Sequence, residues 1–371
     1  MARSMGSIFL KAARKIARQQ RNALIKATQS NMKLAASAFD HNTLFPPPPA
    51  ALRRAVKKAV PPPFRHGSWT EKQFKVPTAA SLFLRRLSYF LYAPPVPPSQ
   101  EINGSAMLVM LHGCKQTATE FAQGTRMNLH AAKSGMVVVY PQQSRQLQTL
   151  RCWRWYQPDD QHGSAEADAI AALVRNLIKR HNVDPTRIYL AGMSAGAGMS
   201  GLLALRHPAL FAAIALHSGP VMGNASNLTS GLQTMRRGTL NDPLNVLKDA
   251  DEPLDARQDY LPALILQGQQ DRVVAANNGE QLARQFAWLN GFEDNALPEE
   301  KKVAEHSRRE YTQLDFRRAR KSIVRLCQIR NVGHAWSGGD SRLDFNSTDG
   351  PNASSLIMQF FRMHRRGNNE S

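Results

Sequence analysis

The sequence predicts an α/β protein with a mainly parallel sheet that helices cover on both faces. Apolar, β-prone runs alternate with amphipathic helical stretches along the chain, which is typical of strand–helix–strand units. The segment Arg187–Gly201 passes from a short apolar strand through a glycine-rich turn into a helix. The chain has 371 residues, 42% of them hydrophobic, which is enough for one large α/β domain plus an extension.

The elements follow in order. The expected strands are residues 68–76, 85–92, 106–111, 136–140, 188–190, 211–216 and 261–267, with 311–316 and 322–329 as a hairpin or as late strands of the sheet. Helices are expected at 118–133, after Ser164 as N-cap, after the turn at 192–196, near 277–290 and at 354–363. Residues 222–258 are expected to cover the site as a loop or cap, and 292–310 to form a charged insertion.

A basic extension, residues 1–66, precedes the expected domain at 67–371. The whole chain has a formal net charge of +20, and Asp40 is the only acid before Arg65. Residues 1–40 are partly amphipathic, and two proline clusters at 46–49 and 61–63 predict a stiff linker. Such a helix could bind an anionic or apolar surface or a partner protein, whereas a solvated tail without fixed structure is the alternative. Nucleic acid is disfavoured because no aromatic side chains interleave with the charges.

The expected location is the cytoplasm. No run approaches the about 18 apolar residues of a membrane span, and the apolar run 8–10 is broken by Lys11, short of the about 7–15 residues of a secretory signal. Three cysteines are too few and too odd in number for a disulfide framework, which favours a reducing compartment. An organelle transit peptide stays open as the alternative.

The turn Gly192-Met193-Ser194-Ala195-Gly196 predicts a nucleophilic serine. G-x-S-x-G between a strand and a helix is the nucleophile elbow, in which the serine hydroxyl is exposed on a strained turn. The helix that follows favours developing negative charge, and the N–H of Ala195 can donate to an oxyanion. The alternative is a glycine-rich turn with an incidental serine.

Two further residues complete a candidate triad. Asp271 follows the apolar strand at 261–267, and His334 follows the strand at 322–329. An activated serine needs a base and a group that orients this base, and the order Ser194, Asp271, His334 is the order of α/β-hydrolases. Taken singly, the aspartate could cap a helix and the histidine could be structural. Other acids, residues 340, 344 and 349, come after the histidine and are expected to shape its loop.

The loop His112-Gly113-Cys114 is expected to supply the second oxyanion donor. It follows a buried strand, and we predict that the Cys114 backbone N–H donates; Cys114 as the nucleophile is the weaker alternative. Four aromatic residues are candidates either for an acyl pocket or for the core: Trp153, Trp155, Tyr156 and Trp336.

Together, these motifs resemble the catalytic domain of the polyhydroxybutyrate (PHB) depolymerase family of esterases. The residues that carry the resemblance are His112-Gly113-Cys114, Cys152-Trp153-Arg154-Trp155, the elbow at 192–196, Asp271, and Gly333-His334-Ala335-Trp336-Ser337-Gly338-Gly339. The resemblance covers roughly residues 70–365.

The resemblance implies an α/β-hydrolase fold, no metal or other cofactor, and attack by Ser194 on short hydroxyacyl or related esters. Ser194, Asp271 and His334 match the triad positions of the family, and Cys114 and Ala195 match its oxyanion positions. Secreted members bridge the cysteines that match Cys114 and Cys152, so a disulfide stays open here. The chain is expected to differ from those members by its basic extension and by the lack of a signal peptide and a C-terminal substrate-binding domain.

The function expected from the sequence is that of a serine ester hydrolase of the PHB depolymerase type. It would cleave hydroxyalkanoate polyester or oligomers through an acyl-enzyme, and residues 1–65 would dock it to a polyester granule or its coat protein. The alternatives are a feruloyl or acetylxylan esterase, or a non-catalytic granule- or nucleic-acid-associated protein with the same fold.

Overall fold

The sheet of the computed structural model has ten strands in the order β1-β2-β4-β3-β5-β6-β7-β10-β9-β8. The structure describes residues 67–78, 80–81, 84–95, 104–159, 161–248 and 260–367. The strands are β1 (Ser68–Lys75), β2 (Arg86–Ala93), β3 (Ser105–Leu111), β4 (Val137–Gln142), β5 (Val183–Met193), β6 (Ala213–His217), β7 (Ala263–Gly268), β8 (Glu299–Val303), β9 (Tyr311–Arg318), β10 (Lys321–Ile329), and the short pair β11 (Trp336–Ser337) and β12 (Asn346–Ser347). The helices are α1 (Ala118–Thr125), α2 (Met127–Ala132), α3 (Gly163–Arg180), α4 (Ala195–Arg206), α5 (Leu228–Arg237), α6 (Asn245–Lys248), α7 (Asn277–Leu289) and α8 (Ala353–Arg362).

Six central strands pair in parallel, in the order β4, β3, β5, β6, β7 and β10. Antiparallel strands flank them, β2 and β1 on one side and β9 and β8 on the other. Strand β3 is inaccessible to solvent at every residue from Met107 to Leu111, so both of its faces are covered. Alternate residues such as Leu108 and Met110 pack in one core with helices α1, α2 and α8. Helices α3, α4 and α7 pack against the strands from the opposite face. The predicted parallel sheet with helices on both faces is thus confirmed.

The late strands satisfy both alternatives left open by the sequence. Strand β10 pairs antiparallel with β9 as a hairpin and parallel with β7 as part of the main sheet. The charged segment 292–310 is not merely an insertion, because its residues 299–303 form β8 at the edge beside β9. The prediction of an insertion was therefore wrong in this part: the four charged residues 299–302 of β8 are tolerated because they are exposed at the edge of the sheet.

Two helix boundaries differ from the prediction. The helix expected over 118–133 divides at Arg126, whose left-handed φ of 54° ends α1 and starts α2. Helix α3 begins at Gly163, and Ser164 is not its N-cap, because the Ser164 hydroxyl donates to the Pro158 carbonyl instead (2.7 Å). The strand expected to end near 140 continues through Pro141, which faces Tyr89 in the register of β4 with β2.

Part of the predicted organisation lies outside the described residues. The extension 1–66 and its boundary with the domain stay predictions. Of the segment 222–258, residues up to 248 are described, and they hold α5 and α6. Among the described helices, none has the length and apolar character needed to cross a bilayer.

Candidate active site

Ser194 occupies a strained turn between β5 and α4. Its backbone adopts φ 56° and ψ −122°, and its N–H donates to the carbonyl of His217 (2.9 Å). A Cβ on Gly192 would lie 2.3 Å from the Gly196 carbonyl oxygen, and one on Gly196 would lie 2.0 Å from the Leu111 carbonyl oxygen. Both flanking glycines are therefore required by close backbone approach, as the elbow motif predicts.

The structure brings Ser194, His334 and Asp271 into one hydrogen-bonded chain. The Nε2 atom of His334 lies 3.0 Å from the Ser194 hydroxyl, and its Nδ1 lies 2.8 Å from Oδ2 of Asp271. The three residues follow β5, β10 and β7, whose carboxyl ends meet at one edge of the parallel sheet. The arrangement is that of an activated nucleophile, its base, and the group that orients this base.

Asp271 is held in the ionised state and in one orientation. Its other oxygen, Oδ1, accepts from the backbone N–H groups of Val273 (2.9 Å) and Val274 (2.8 Å). Burial alone raises the pKa of this carboxyl, but His334 and the two N–H donors outweigh burial and hold the pKa below its usual value. A carboxylate is therefore present at neutral pH to fix the imidazole tautomer.

The loop at Gly113 and Cys114 lies directly beside the nucleophile. A Cβ on Gly113 would be 3.5 Å from the Cβ of Ser194, and the Gly113 N–H donates to Oε1 of Gln116 (2.9 Å). Within the described part of the chain, the backbone N–H groups of Cys114 and Ala195 donate to no acceptor. Both predicted oxyanion donors thus have their N–H groups available next to Ser194.

Cys114 forms a disulfide with Cys152, with 4.3 Å between their Cα atoms. The sequence left this bond open, and the structure contains it. A disulfide sulfur is not a thiolate, so the alternative in which Cys114 is the nucleophile fails. Cys327 is buried, which raises the pKa of its thiol to about 12 and makes it unreactive.

The four aromatic candidates divide into two pairs. Trp153 and Trp336 are each 1% exposed. Trp153 packs against His112, and Trp336 packs against Phe121 and His217, so both are core side chains.

The other pair lies near the nucleophile. Trp155 covers Gly198, one turn after Ser194, and Tyr156 lies between Trp155 and Gly231 of α5. These two remain the candidates for an acyl pocket.

The loop after His334 is shaped by the residues that follow it. Strands β11 and β12 pair there, and the Trp336 indole donates to the Ser354 hydroxyl (3.2 Å). Asp340 forms an ion pair with Arg126 (3.2 Å), and the Asp340 N–H donates to the Gly124 carbonyl (2.9 Å). This acid therefore orders the loop, as expected, and takes no part in the triad. In the described residues, no three His, Cys, Asp or Glu side chains are grouped to hold a metal ion.

Sequence reasoning missed the role of His217. It ends β6, its carbonyl accepts from Ser194, and its Nε2 accepts from the Ser337 N–H (3.2 Å). Burial lowers the pKa of this imidazole to about 3, so it is neutral and can accept there. A histidine at the end of a buried strand, followed by Ser218 and Gly219, was the available signal.

Comparison with known proteins places this chain in a family. Residues 87–311 match the family model described as Esterase PHB depolymerase. Poly(3-hydroxyalkanoate) depolymerase C of Paucimonas lemoignei is 30% identical over 209 residues, which cover 56% of this chain and 49% of that protein. Feruloyl esterase B of Neurospora crassa is 31% identical over 153 residues, or 39% of this chain and 51% of that protein. The chain thus spans about half the length of these curated relatives.

A solved structure supports the fold. The acetyl xylan esterase from Aspergillus awamori superposes with a TM-score of 0.62 at 16% identity, over 79% of this chain and 99% of that one. The shared architecture is the α/β-hydrolase fold. In the present chain, the serine elbow, the acid and the histidine follow the carboxyl ends of parallel strands. By the extent of the family match, the chain belongs to the esterase PHB depolymerase family.

Proposed function

We propose that the protein is a serine carboxylic ester hydrolase of the PHB depolymerase type that cleaves short-chain hydroxyalkanoate polyester or its oligomers. The observation that carries this proposal is the continuous chain of hydrogen bonds from the Ser194 hydroxyl through His334 to Asp271 (3.0 and 2.8 Å). The family match over residues 87–311 supports ester hydrolysis as the reaction.

In the proposed reaction, His334 Nε2 takes the proton of the Ser194 hydroxyl as its oxygen attacks the ester carbonyl. Asp271 keeps the imidazole in the reactive tautomer and stabilises the imidazolium that forms. The oxyanion accepts hydrogen bonds from the N–H groups of Cys114 and Ala195. Collapse of this intermediate returns the proton from His334 to the leaving alcohol. Water, deprotonated by the same histidine, then releases the acid and regenerates Ser194.

The similarity to the Paucimonas depolymerase supports a polyester substrate. A carbohydrate-linked esterase that acts on feruloyl or acetyl groups is the second candidate, because Feruloyl esterase B is similar at a comparable 31% identity. The non-catalytic alternative is disfavoured because the complete triad is assembled.

Residues 1–65 are proposed to dock the enzyme to a polyester granule or its coat protein. The support is their charge, since residues 1–66 hold 13 Lys and Arg against the single acid Asp40. Deleting 1–65 is expected to abolish granule binding while turnover of a soluble ester persists; unchanged binding would refute the docking role.

A cytoplasmic location stays a proposal, and the disulfide sharpens its test. Disulfides persist in oxidising compartments and are rare in the cytosol. Acid-quenched cells whose proteins are then denatured and alkylated should show Cys114 and Cys152 as free thiols if the protein resides in the cytosol. Recovery of both cysteines in the disulfide form would contradict a cytoplasmic location.

The test of the function compares wild type with Ser194→Ala on amorphous PHB granules, p-nitrophenyl butyrate, methyl ferulate and acetylated xylan. Loss of granule and p-nitrophenyl butyrate hydrolysis in the variant, with an unchanged melting temperature, would support the proposal. Turnover of ferulate or acetylxylan without any release of hydroxybutyrate would favour the carbohydrate esterase. Absence of turnover on every ester by the folded wild type would refute ester hydrolysis.

A further inference from the structure

We propose that Glu166 is a positioning residue for the oxyanion hole and holds the Cys114 N–H in place through two hydrogen-bonded arms. This inference rests on the proposed function. Glu166 lies in the first turn of α3 and is not part of the triad. Only 4% of its surface is exposed, so its carboxylate is committed to protein partners.

The first arm runs through Gln143 and His112. Oε1 of Glu166 accepts from the Gln143 side-chain amide (2.7 Å), and the Gln143 backbone N–H donates to Nε2 of His112 (3.1 Å). Burial lowers the pKa of His112 to about 4, so this imidazole is neutral and carries its proton on Nδ1. That Nδ1–H donates to the Gly113 carbonyl (2.8 Å).

The carbonyl of Gly113 belongs to the same peptide unit as the N–H of Cys114. In a trans peptide these two groups point in opposite directions, and the described chain contains no cis peptide. A fixed Gly113 carbonyl therefore sets the direction of the Cys114 N–H. The first arm thus orients the Cys114 N–H by holding the Gly113 carbonyl on the opposite side of the same peptide unit.

The second arm holds the disulfide partner of the donor. Oε2 of Glu166 accepts from the Arg154 backbone N–H (2.8 Å), and the Gln143 amide also donates to the Cys152 carbonyl (3.3 Å). The disulfide then connects Cys152 to Cys114. Both arms start at one carboxylate and converge on one residue.

The network requires two acceptors at Glu166. Both oxygens face N–H donors, and the Arg154 guanidinium lies 4.0 Å away. An amide or a protonated carboxyl would place a donor against a donor on one arm. Burial raises the pKa of Tyr156, and the charge of Glu166 raises it further. The carboxylate is thus the only form of this side chain that supports both arms together.

The test compares Glu166→Gln with Asp168→Asn. Asp168 is two residues further along α3 and pairs with Arg206 (2.8 Å) and His207 (2.8 Å), away from the loop, so it is the matched control. Because loss of a whole oxyanion donor costs about 10²–10³ in kcat, Glu166→Gln is expected to lower kcat on p-nitrophenyl butyrate by about 10- to 100-fold. KM should stay within about twofold, since the donor acts on the transition state.

A second readout separates a loss of oxyanion-donor positioning from a general disruption of the structure. A trifluoromethyl ketone adds to Ser194 and forms a tetrahedral oxyanion, so its Ki should rise by the same factor as kcat falls. Asp168→Asn should leave kcat and Ki at wild-type values. If Glu166→Gln does not fold, Gln143→Leu removes the other end of the same hydrogen bond and should show the same pattern.

A folded variant with wild-type kcat, or with an unchanged Ki, would overturn the inference. So would an equal loss in Asp168→Asn. Wild-type protein that turns over no ester would refute the proposed function instead, and this inference with it, so the two failures are distinguished by the wild-type rate.

Discussion

Replacing Asp271 by asparagine should disable the base without disturbing the packing. Oδ1 of Asp271 accepts from the N–H groups of Val273 and Val274, so the amide oxygen of the new side chain must occupy this position. The amide NH₂ then faces Nδ1 of His334, which can only accept there. The imidazole proton is forced onto Nε2, the atom that must receive the proton of Ser194.

The size of this effect follows from the two backbone donors. To restore the reactive tautomer, the amide must flip and leave both N–H groups unsatisfied, at about 1–3 kcal/mol each. The total of about 2–6 kcal/mol lowers the fraction of molecules that hold the reactive His334 tautomer by roughly 30-fold to more than 10⁴-fold. The lost negative charge adds to this, and the equivalent change in a serine protease lowers kcat by about 10⁴. We therefore expect Asp271→Asn to lower kcat by at least about 100-fold.

The assay is initial-rate hydrolysis of p-nitrophenyl butyrate between pH 6 and 9, and Ser194→Ala is the control that gives the background rate. The melting temperature should stay near that of the wild type, because the amide keeps the Oδ1 contacts. A folded Asp271→Asn protein with kcat within tenfold of wild type would refute the tautomer argument.

Four further substitutions test the scaffold around the site. Gly196→Ala should cost at least about 3 kcal/mol of unfolding free energy, because its Cβ would lie 2.0 Å from a backbone oxygen, whereas Gly333→Ala, with its nearest atom at 3.7 Å, should be near neutral in urea denaturation. Cys152→Ala removes a disulfide that spans 38 residues and should lower the free energy of unfolding by about 4 kcal/mol. The melting temperature of this variant should not change when dithiothreitol is added, and a change would contradict the assigned disulfide. Burial raises the pKa of Glu166 from 4.5 to about 7, so the folded state binds this proton more tightly than the unfolded state. That contribution of about 3 kcal/mol to the free energy of unfolding is present below pH 4.5 and lost as pH rises through about 7. Glu166→Gln should remove this change from the pH dependence of urea unfolding. An unchanged pH dependence in the variant would count against the raised pKa.

The Glu166 predictions together describe a trade between stability and activity. The ionised carboxylate that both arms require is the form that burial disfavours. Glu166→Gln should therefore remove the fall in stability that the wild type shows as pH rises through about 7, while it lowers kcat. Such opposed effects are common where a site is built from buried polar groups.

The parts of the site that the sequence predicts are those with local signatures at strand ends. Ser194 lies in a turn that only glycine neighbours permit, and Asp271 and His334 follow apolar strands in the expected order. Because the strands are parallel, their carboxyl ends meet, and the chain order alone indicates that these side chains converge.

The missed features depend on contacts between distant segments. Ser164 resembles an N-cap, yet its hydroxyl donates to a carbonyl that only the folded loop brings near. Glu166 resembles an ordinary first-turn acid, since its partners Gln143 and Arg154 are 23 and 12 residues away. Arg126 divides a continuous helical pattern by adopting a left-handed backbone that no local motif indicates.

The two edges of the ten-stranded sheet bear on how the molecules behave at high concentration. An edge strand offers its backbone to a strand of another molecule, which is a route to aggregation. Strand β1 carries Glu71 and Lys72 at one edge, and β8 carries the charged run 299–302 at the other. Each edge mixes both signs of charge on exposed positions, so an added strand would have to desolvate these groups. Self-association by strand addition is thereby disfavoured at both ends of the sheet.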